Sequence, residues 1–305
     1  MSMNGNPVIR ARGLKKCFGS LTAVDEIDFE VYRGECFGIL GPNGAGKTST
    51  MRMLYNFSPR TSGTLEVFGL DPARDGVRLR QVIGVVQQTN NLDLELTVRE
   101  NLEVYSSYYG VNLGRLKERI DELLDFMELT QKADARIKQL SGGMKRRLTI
   151  LRALVHEPRL VILDEPTTGL DPQARHQIWA VLRRLTGQGV TVVLTTHYMD
   201  EAERLCDRLV IMDQGKILHT GAPGALIASH LPRFVLEVDR CNLADTWKLT
   251  NLEFDYYGDR VFFKADEESA FSAVSYLDSS IKGSLRPANL EDLFLKLTGR
   301  RLVDE

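Results

Sequence analysis

The segment ECFGILGPNGAGKTST, residues 35–50, decides the fold of this 305-residue chain. A short apolar run leads directly into a glycine-rich loop that has the spacing GxxxxGK[ST] and precedes a helical stretch. In such a loop backbone N–H groups converge on phosphate oxygens, the lysine lies near the β- and γ-phosphates, and the threonine hydroxyl can hold Mg²⁺. The pattern predicts that the chain binds a nucleoside triphosphate. The residues expected to contact it are Gly41, Pro42, Asn43, Gly44, Ala45, Gly46, Lys47, Thr48 and Ser49.

The first two-thirds of the chain alternates continuous apolar runs with helical patterns. QVIGVV, RLVILD and VTVVLTTH follow the first run at residues 81–86, 159–164 and 190–197. Runs that are apolar throughout are typical of strands buried on both faces of a parallel sheet. Between about residues 97 and 158 the pattern is mostly helical, which predicts an inserted helical subdomain. We therefore expect an α/β fold with a mainly parallel core sheet.

Polar residues follow two of these apolar runs at the point where each run ends. Asp164 ends RLVILD, where its carboxylate can hold Mg²⁺, and Glu165 comes next, where it can polarise an attacking water. His197 ends VTVVLTTH at an equivalent position, which favours a contact with the γ-phosphate. Glu165, His197 and Lys47 are therefore predicted to be catalytic, and Thr48 and Asp164 to bind the metal.

A second potential phosphate site lies in LSGGMKRRLTI, residues 140–150. Ser141 can cap a helix at this point, and two glycines allow a ligand to approach closely. The free N–H groups at the start of a helix attract anions. The basic run at residues 145–147 is compatible with either a basic patch or a solvated helix face. One chain with one phosphate loop has no nucleotide of its own for this second site.

The pattern changes after about residue 230. RFVLEV, LEFDYY and RVFFKA favour strands, and helical patterns follow at residues 267–277 and 289–299. We therefore predict two domains, a nucleotide-binding domain at residues 7–230 and a small α+β accessory domain at residues 231–305.

Composition argues against several other classes of protein. The net charge of -2 gives no reason to expect a nucleic acid partner. The four cysteines are scattered, so we expect neither a disulfide nor a cysteine metal site. No run approaches the roughly 18 apolar residues of a membrane span, and the first residues lack the apolar core of a signal peptide. Any work at a membrane should therefore require a partner.

The motifs GPNGAGKT, QQ after IGVV, LSGGM, ILDEPTTGLD and TTH, in this order, resemble those of the ATP-binding subunit of an ABC transporter. The resemblance implies a P-loop NTPase fold that binds ATP and Mg²⁺. It also implies that two copies dimerise head to tail around two ATP molecules. Ser141, Gly142 and Gly143 of each copy would then close over the γ-phosphate that the other copy holds.

The resemblance assigns roles to three further residues. Phe18 matches the aromatic residue that stacks on adenine, although an aromatic residue beside a strand is also commonly part of the core. Gln88 matches the switch glutamine that reaches Mg²⁺ and the attacking water, which adds it to the catalytic and metal-binding sets. Gln87 replaces the usual proline of that motif. Asp171 matches the acid of the loop that crosses the dimer seam.

A narrower resemblance to the nodulation-type exporter ATPases runs from about Val8 to Leu302. It rests on segments such as KADARIKQLSGGMKRRLT, MDEAERLCDRL and the terminal LEDLFLKLTGRRL. It implies a peripheral ATPase at the cytoplasmic face of the inner membrane that drives a separate integral membrane permease. A lipo-oligosaccharide, polysaccharide or drug-like cargo follows by analogy only.

Two other functions are compatible with the cassette. The alternative is a soluble ABC ATPase acting on ribosomes or DNA, but such proteins usually carry two cassettes or a long coiled-coil insert. The C-terminal domain can also regulate the cassette, which would modify the exporter hypothesis without replacing it.

Overall fold

The computed structural model describes residues 5–111, 113–239, 252–267, 269 and 283–298. Their contacts divide the chain into two compact units, residues 1–220 and 221–305. The division falls ahead of the predicted boundary at residue 230, because the helix Pro223–His230 belongs to the second unit. The domain boundary itself stays a prediction.

Strands and helices alternate through most of the first unit. Its strands are β1 (Ile9–Phe18), β2 (Leu21–Val31), β3 (Cys36–Leu40), β4 (Ser62–Val67), β5 (Ile83–Val86), β6 (Leu160–Asp164), β7 (Thr191–Thr196), β8 (Arg208–Asp213) and β9 (Lys216–Gly221). Its helices are α1 (Lys47–Leu54), α2 (Gly76–Arg80), α3 (Val98–Ser107), α4 (Leu113–Phe126), α5 (Gly142–Leu154), α6 (Pro172–Gly187) and α7 (Met199–Leu205). Two 3₁₀ turns cover Thr130–Lys132 and Ile137–Gln139.

The central sheet has the strand order β5-β6-β7-β3-β8-β9. Parallel ladders join β5 to β6, β6 to β7, β7 to β3 and β3 to β8. Every residue of β3, β6 and β7 is buried, as expected of strands covered on both faces. The predicted parallel core sheet is therefore confirmed. Because the strands are parallel, the loops that follow β3, β5, β6 and β7 meet at one edge of the sheet.

A second, three-stranded antiparallel sheet, in the order β2-β1-β4, was not foreseen from the sequence. One face of this sheet joins the hydrophobic core of the central sheet. The rings of Phe29 and Phe37, for example, stack with their centroids 6.0 Å apart. The antiparallel sheet thus shares one hydrophobic core with the central sheet.

The start of each of two helices that follow β5 has a side-chain cap. Thr97 and Glu100 form a reciprocal capping box at the start of α3. The Ser141 hydroxyl accepts a hydrogen bond from the Met144 N–H at the start of α5, which confirms the predicted cap. Helix α5 crosses β5 so closely that a Cβ added at Gly84 would lie 2.3 Å from the Ala153 oxygen. Only glycine at this position lets α5 approach the sheet.

Replacing Gly84 by alanine should therefore force α5 away from the sheet. We expect a decrease in the free energy of unfolding of about 1–3 kcal/mol, measured by denaturant titration. Gly187→Ala is the matched control, because nothing lies within 4 Å of its added Cβ. Equal stability of the two variants would show that the close approach does not constrain the packing of α5.

The second unit contains a four-stranded antiparallel sheet with the order β11-β12-β10-β13. Its elements are α8 (Pro223–His230), β10 (Phe234–Asp239), β11 (Glu253–Tyr257), β12 (Arg260–Ala265), β13 (Gly283–Pro287) and α9 (Leu290–Thr298). Arg286 and Asp292 form a two-pronged ion pair that joins β13 to α9. The helix predicted at residues 267–277 lies almost wholly outside the described residues.

Across the described residues, no helix combines the length and the apolar composition that crossing a membrane requires.

Candidate nucleotide site

A cavity of about 570 Å³ opens where the loop after β3 meets α1. Most of the predicted phosphate loop, from Asn43 to Ser49, lines it, together with Gln88 and Glu165. Its volume is in the range of small-molecule sites. The remaining lining residues are Phe18, Leu21, Thr22, Ala23 and Gln214.

The loop needs glycine at two positions that its neighbours crowd. Gly46 has φ 103°, and a Cβ there would lie 2.4 Å from the Ala23 oxygen. A Cβ at Gly41 would lie 2.3 Å from the Met212 oxygen. Gly46 is also the N-cap of α1 and has no side chain to bond the N–H groups of the first turn. Those groups and the positive end of the helix dipole therefore suit an anion.

Lys47 is buried at the base of the loop. Its ammonium donates hydrogen bonds to the main-chain oxygens of Gly41 at 2.8 Å and Pro42 at 3.0 Å. Burial lowers the pKa of Lys47, and the nearby carboxylates of Glu165 and Asp164 oppose that shift. The loop thus holds the lysine side chain beside the place where a triphosphate would bind.

The Glu165 carboxylate brings together most of the predicted catalytic residues. Its Oε2 accepts hydrogen bonds from the Gln88 amide at 3.3 Å and the Thr168 hydroxyl at 3.1 Å. Its Oε1 lies 3.3 Å from Nδ1 of His197, in a close contact without hydrogen-bond alignment, and 3.7 Å from the Lys47 ammonium. His197 is the main cause that lowers the pKa of Glu165, while burial works in the opposite direction. The carboxylate is therefore ionised near neutral pH and can accept a proton.

Asp164 is held by two hydroxyl groups. Its Oδ1 accepts hydrogen bonds from Thr195 at 2.6 Å and Thr48 at 3.2 Å. The same Thr195 oxygen accepts a hydrogen bond from the Glu165 N–H at 3.0 Å. Thr195 thus positions both acids, although sequence reasoning did not select it. The available signal was its register, because Thr195 lies opposite Asp164 in the ladder between β7 and β6.

The ligands predicted for Mg²⁺ are compatible with that ion. Thr48 and Asp164 provide oxygen atoms. The Gln88 amide is nearby, because it donates a hydrogen bond to the neighbouring Glu165 carboxylate. Within the described part of the chain no cluster of three His, Cys, Asp or Glu side chains can hold a metal. Mg²⁺ suits such a sparse set of protein ligands, because it usually keeps several waters and takes the remaining oxygens from phosphate groups.

Phe18 lies at the edge of the cavity with 49% of its surface exposed. The Lys16 ammonium lies 4.6 Å from the centre of its ring. The alternative interpretation, a core side chain, is therefore wrong. The ring is available to a flat ligand group at the cavity edge.

Other predicted residues lie outside the cavity of their own chain. Ser141 and Gly142 are exposed at the start of α5, and neither lines the cavity. Asp171 is exposed and caps α6, where its carboxylate accepts a hydrogen bond from the Ala174 N–H at 2.9 Å. One chain thus brings together the phosphate loop and the catalytic acids, while the Ser-Gly-Gly segment faces outward.

Both interpretations suggested for residues 145–147, a basic patch and a solvated helix face, are wrong for two of the three residues. Arg146 is 4% exposed and Arg147 is 8% exposed. Arg147 extends toward the helical insertion, where it donates a hydrogen bond to the Met127 oxygen at 2.9 Å. Arg146 extends toward the loops after β5 and β6. Its guanidinium bonds the oxygens of Gln87, Gln88, Asp164, Glu165 and Pro166.

Comparison with protein families agrees with this geometry. The ABC transporter family matches residues 24–168, and the C-terminal domain of the nodulation factor export protein NodI matches residues 243–299. A Nod factor export ATP-binding protein I from Cupriavidus metallidurans is 44% identical over 300 residues, which cover 97% of this chain and 99% of that protein.

Solved structures show the same fold. CbiO1 from Clostridium perfringens, part of the ABC transporter complex CbiONQ, has a TM-score of 0.68 and 28% identity over 73% of this chain and 92% of its own. The ATP-binding cassette MJ0796, a dimer bound to ADP and Pi, has a TM-score of 0.64 and 27% identity over 70% of this chain and 98% of its own. These matches confirm the predicted P-loop NTPase fold. The alternative of a ribosome- or DNA-directed ATPase receives no support from them.

Proposed function

This chain belongs to the ATP-binding subunits of ABC export systems, in the group of Nod factor export ATP-binding proteins, and we propose that it drives export of an amphiphilic lipo-oligosaccharide. Hydrolysis of ATP supplies the energy. The observation that supports the proposed cargo is similarity to a Nod factor exporter over nearly the whole chain, including the family match to its C-terminal domain.

The geometry of the cavity suggests how its residues divide the work of hydrolysis. The triphosphate lies along the phosphate loop beside Lys47, and adenine stacks on the exposed ring of Phe18. Glu165 accepts the proton of the attacking water, and Gln88 and His197 orient that water and the γ-phosphate. Mg²⁺, when bound by Thr48, Gln88 and Asp164, would neutralise charge on the phosphates.

Dimerisation, which the related cassette MJ0796 shows, would give the outward-facing Ser-Gly-Gly segment a partner. In the proposed head-to-tail dimer, Ser141, Gly142 and Gly143 of one copy contact the γ-phosphate in the cavity of the other. The exposed Asp171 lies at the seam. ATP thus joins two surfaces that each chain alone leaves open, and release of the cleaved γ-phosphate after hydrolysis removes the charge that holds them.

A second cleft, of about 450 Å³, is the best candidate for contact with the membrane permease. It lies beside the Gln87 loop, and its lining includes the aromatic residues Tyr55, Phe57, Tyr105 and Tyr109. Phe57 is 63% exposed, and a large exposed apolar side chain favours burial in a protein partner. We place this surface, and hence the subunit, against the permease at the cytoplasmic face of the inner membrane.

Recovery of the permease from membranes of the source organism tests this function. Tagged protein carrying Glu165→Gln, purified with ATP and Mg²⁺, should retain an integral membrane protein in stoichiometric yield. Adding Phe57→Asp should reduce that yield at least about tenfold, because a charge in a desolvated contact is costly.

Leu218→Asp on β9 is the matched control, because Leu218 is also an exposed apolar residue but lies outside both clefts. Equal recovery of the membrane protein with Phe57→Asp and Leu218→Asp would contradict the docking surface. Recovery of a dimer alone, or with ribosomes or nucleic acid, would contradict export.

A further inference from the structure

Arg146 binds the main chain of both loops that carry the hydrolytic residues. The acceptor oxygens lie at 2.5 Å for Gln87, 3.3 Å for Gln88, 3.1 Å for Asp164, 3.2 Å for Glu165 and 2.7 Å for Pro166. All three guanidinium nitrogens take part. The planar fork of arginine can satisfy acceptors on two separate segments at once.

These contacts begin where the backbone pairing between β5 and β6 ends. The ladder between β5 and β6 ends at the pair Val86 and Leu163. In the residues that follow this pair, the Arg146 guanidinium donates hydrogen bonds to main-chain oxygens of both segments. Beyond it, the side chains of Gln88 and Glu165 meet at 3.3 Å. Arg146 therefore replaces the ladder at the point where the switch glutamine and the catalytic acid leave the sheet.

The backbone at Glu165 needs such support. Its φ is 45°, in the left-handed region that non-glycine residues rarely adopt, and such a conformation persists only where the surroundings hold it. Burial lowers the pKa of Arg146 to about 10, so the guanidinium remains charged near neutral pH. Hydrogen bonds from a charged donor to buried carbonyl groups are the stronger kind. Loss of the side chain would leave several buried oxygens without this donor.

We propose that Arg146 is a positioning residue that holds Gln88 and Glu165 in register for attack on the γ-phosphate. It lies on α5, whose first residues are those proposed to contact the nucleotide of the partner subunit. The same helix thus links the nucleotide bound by one subunit to the hydrolytic loops of the other site. This inference rests on the proposed function of the cavity and the dimer.

Steady-state ATP hydrolysis by the full chain tests the proposal. Arg146→Met should lower kcat by about 100-fold, the scale of a 1 Å misplacement of reacting groups, while KM for ATP changes less than about twofold. Arg146→Lys keeps the charge and some of the donors, so it should recover about tenfold of that loss. ATP affinity, measured by binding of a fluorescent ATP analogue, should stay unchanged in both variants.

Arg147→Met is the matched control. Arg147 is a neighbour on the same helix, is similarly buried and bonds Met127 and Glu128 rather than the loops of the cavity. It should lower Tm by a similar amount but change kcat less than about threefold, since it holds no reacting group. Similar losses of kcat in Arg146→Met and Arg147→Met would overturn the proposal.

Hydrogen exchange provides a second test if Arg146→Met does not fold. Backbone amides of residues 87–91 and 164–168 should exchange faster in Arg146→Lys than in the wild type, and other segments should not. Unchanged exchange in these two segments would contradict the positioning role. No permease takes part in either assay, so a wrong assignment of the membrane partner would leave these results unaffected and would appear only in the recovery experiment.

Discussion

Glu165→Gln should lower the turnover of ATP by about 10²–10⁴-fold, the typical contribution of a general base. The amide keeps the shape of the side chain but cannot accept the proton of the attacking water. Binding of ATP should persist, because the phosphate loop and Lys47 are unchanged. The ATP-bound dimer should therefore accumulate, which gel filtration with and without ATP can measure.

Glu35→Gln is the control for loss of a buried carboxylate. Glu35 is also buried in the first unit, but it bonds Arg208 and does not line the cavity. It should change stability more than turnover. Turnover by Glu165→Gln within about tenfold of the wild type would exclude Glu165 as the principal base.

A mixing experiment should show that the two phosphate-binding segments act in different chains. Lys47→Ala damages the loop, and Gly142→Asp places a negative charge where the partner's γ-phosphate should lie. Each variant alone should hydrolyse almost no ATP. In an equal mixture, half of the dimers combine both variants, and each of these has one intact composite site. The mixture should recover about a quarter of wild-type turnover.

Gly142 accepts a side chain more easily than Gly143 does. A Cβ at Gly142 meets nothing within 4 Å, whereas one at Gly143 would lie 2.9 Å from the Ala174 side chain and would disturb its own chain. The control mixes Lys47→Ala with the double variant Lys47→Ala/Gly142→Asp, which leaves no intact loop and should recover nothing. Absence of recovery in the first mixture would mean that the loop and the Ser-Gly-Gly segment do not complement each other between chains.

The sequence predicts the central sheet well because its strands are buried on both faces. An apolar run such as RLVILD can be recognised as a buried strand without knowledge of the strands beside it. The antiparallel sheet was missed because its pattern is broken. The register of β1 shifts between Ala11 and Leu14, next to Gly13 at φ 54°, and Glu26 on β2 has φ 53°. Such irregularities interrupt the alternation that identifies a half-exposed strand.

The sequence likewise predicts only part of the candidate site. Glu165, Gln88, His197 and Lys47 converge as expected because each follows the end of a parallel strand, and those ends share one edge. Arg146 could not be recognised, since a basic residue on a helix is usually solvated. Its burial depends on two loops about 20 and 60 residues away in sequence, which no local pattern reveals.

The kind of acceptor that Arg146 bonds determines which substitutions this protein can tolerate during evolution. Every acceptor is a main-chain oxygen, which is present whatever amino acid occupies the position. Substitutions at Gln87 or Pro166 therefore leave the acceptor atoms in place. A new side chain at either position does not remove the hydrogen bonds from Arg146. Because Gln87 also lines the cleft proposed to dock the permease, a change of its side chain would alter that surface while the hydrogen bond from Arg146 to its main-chain oxygen stays in place.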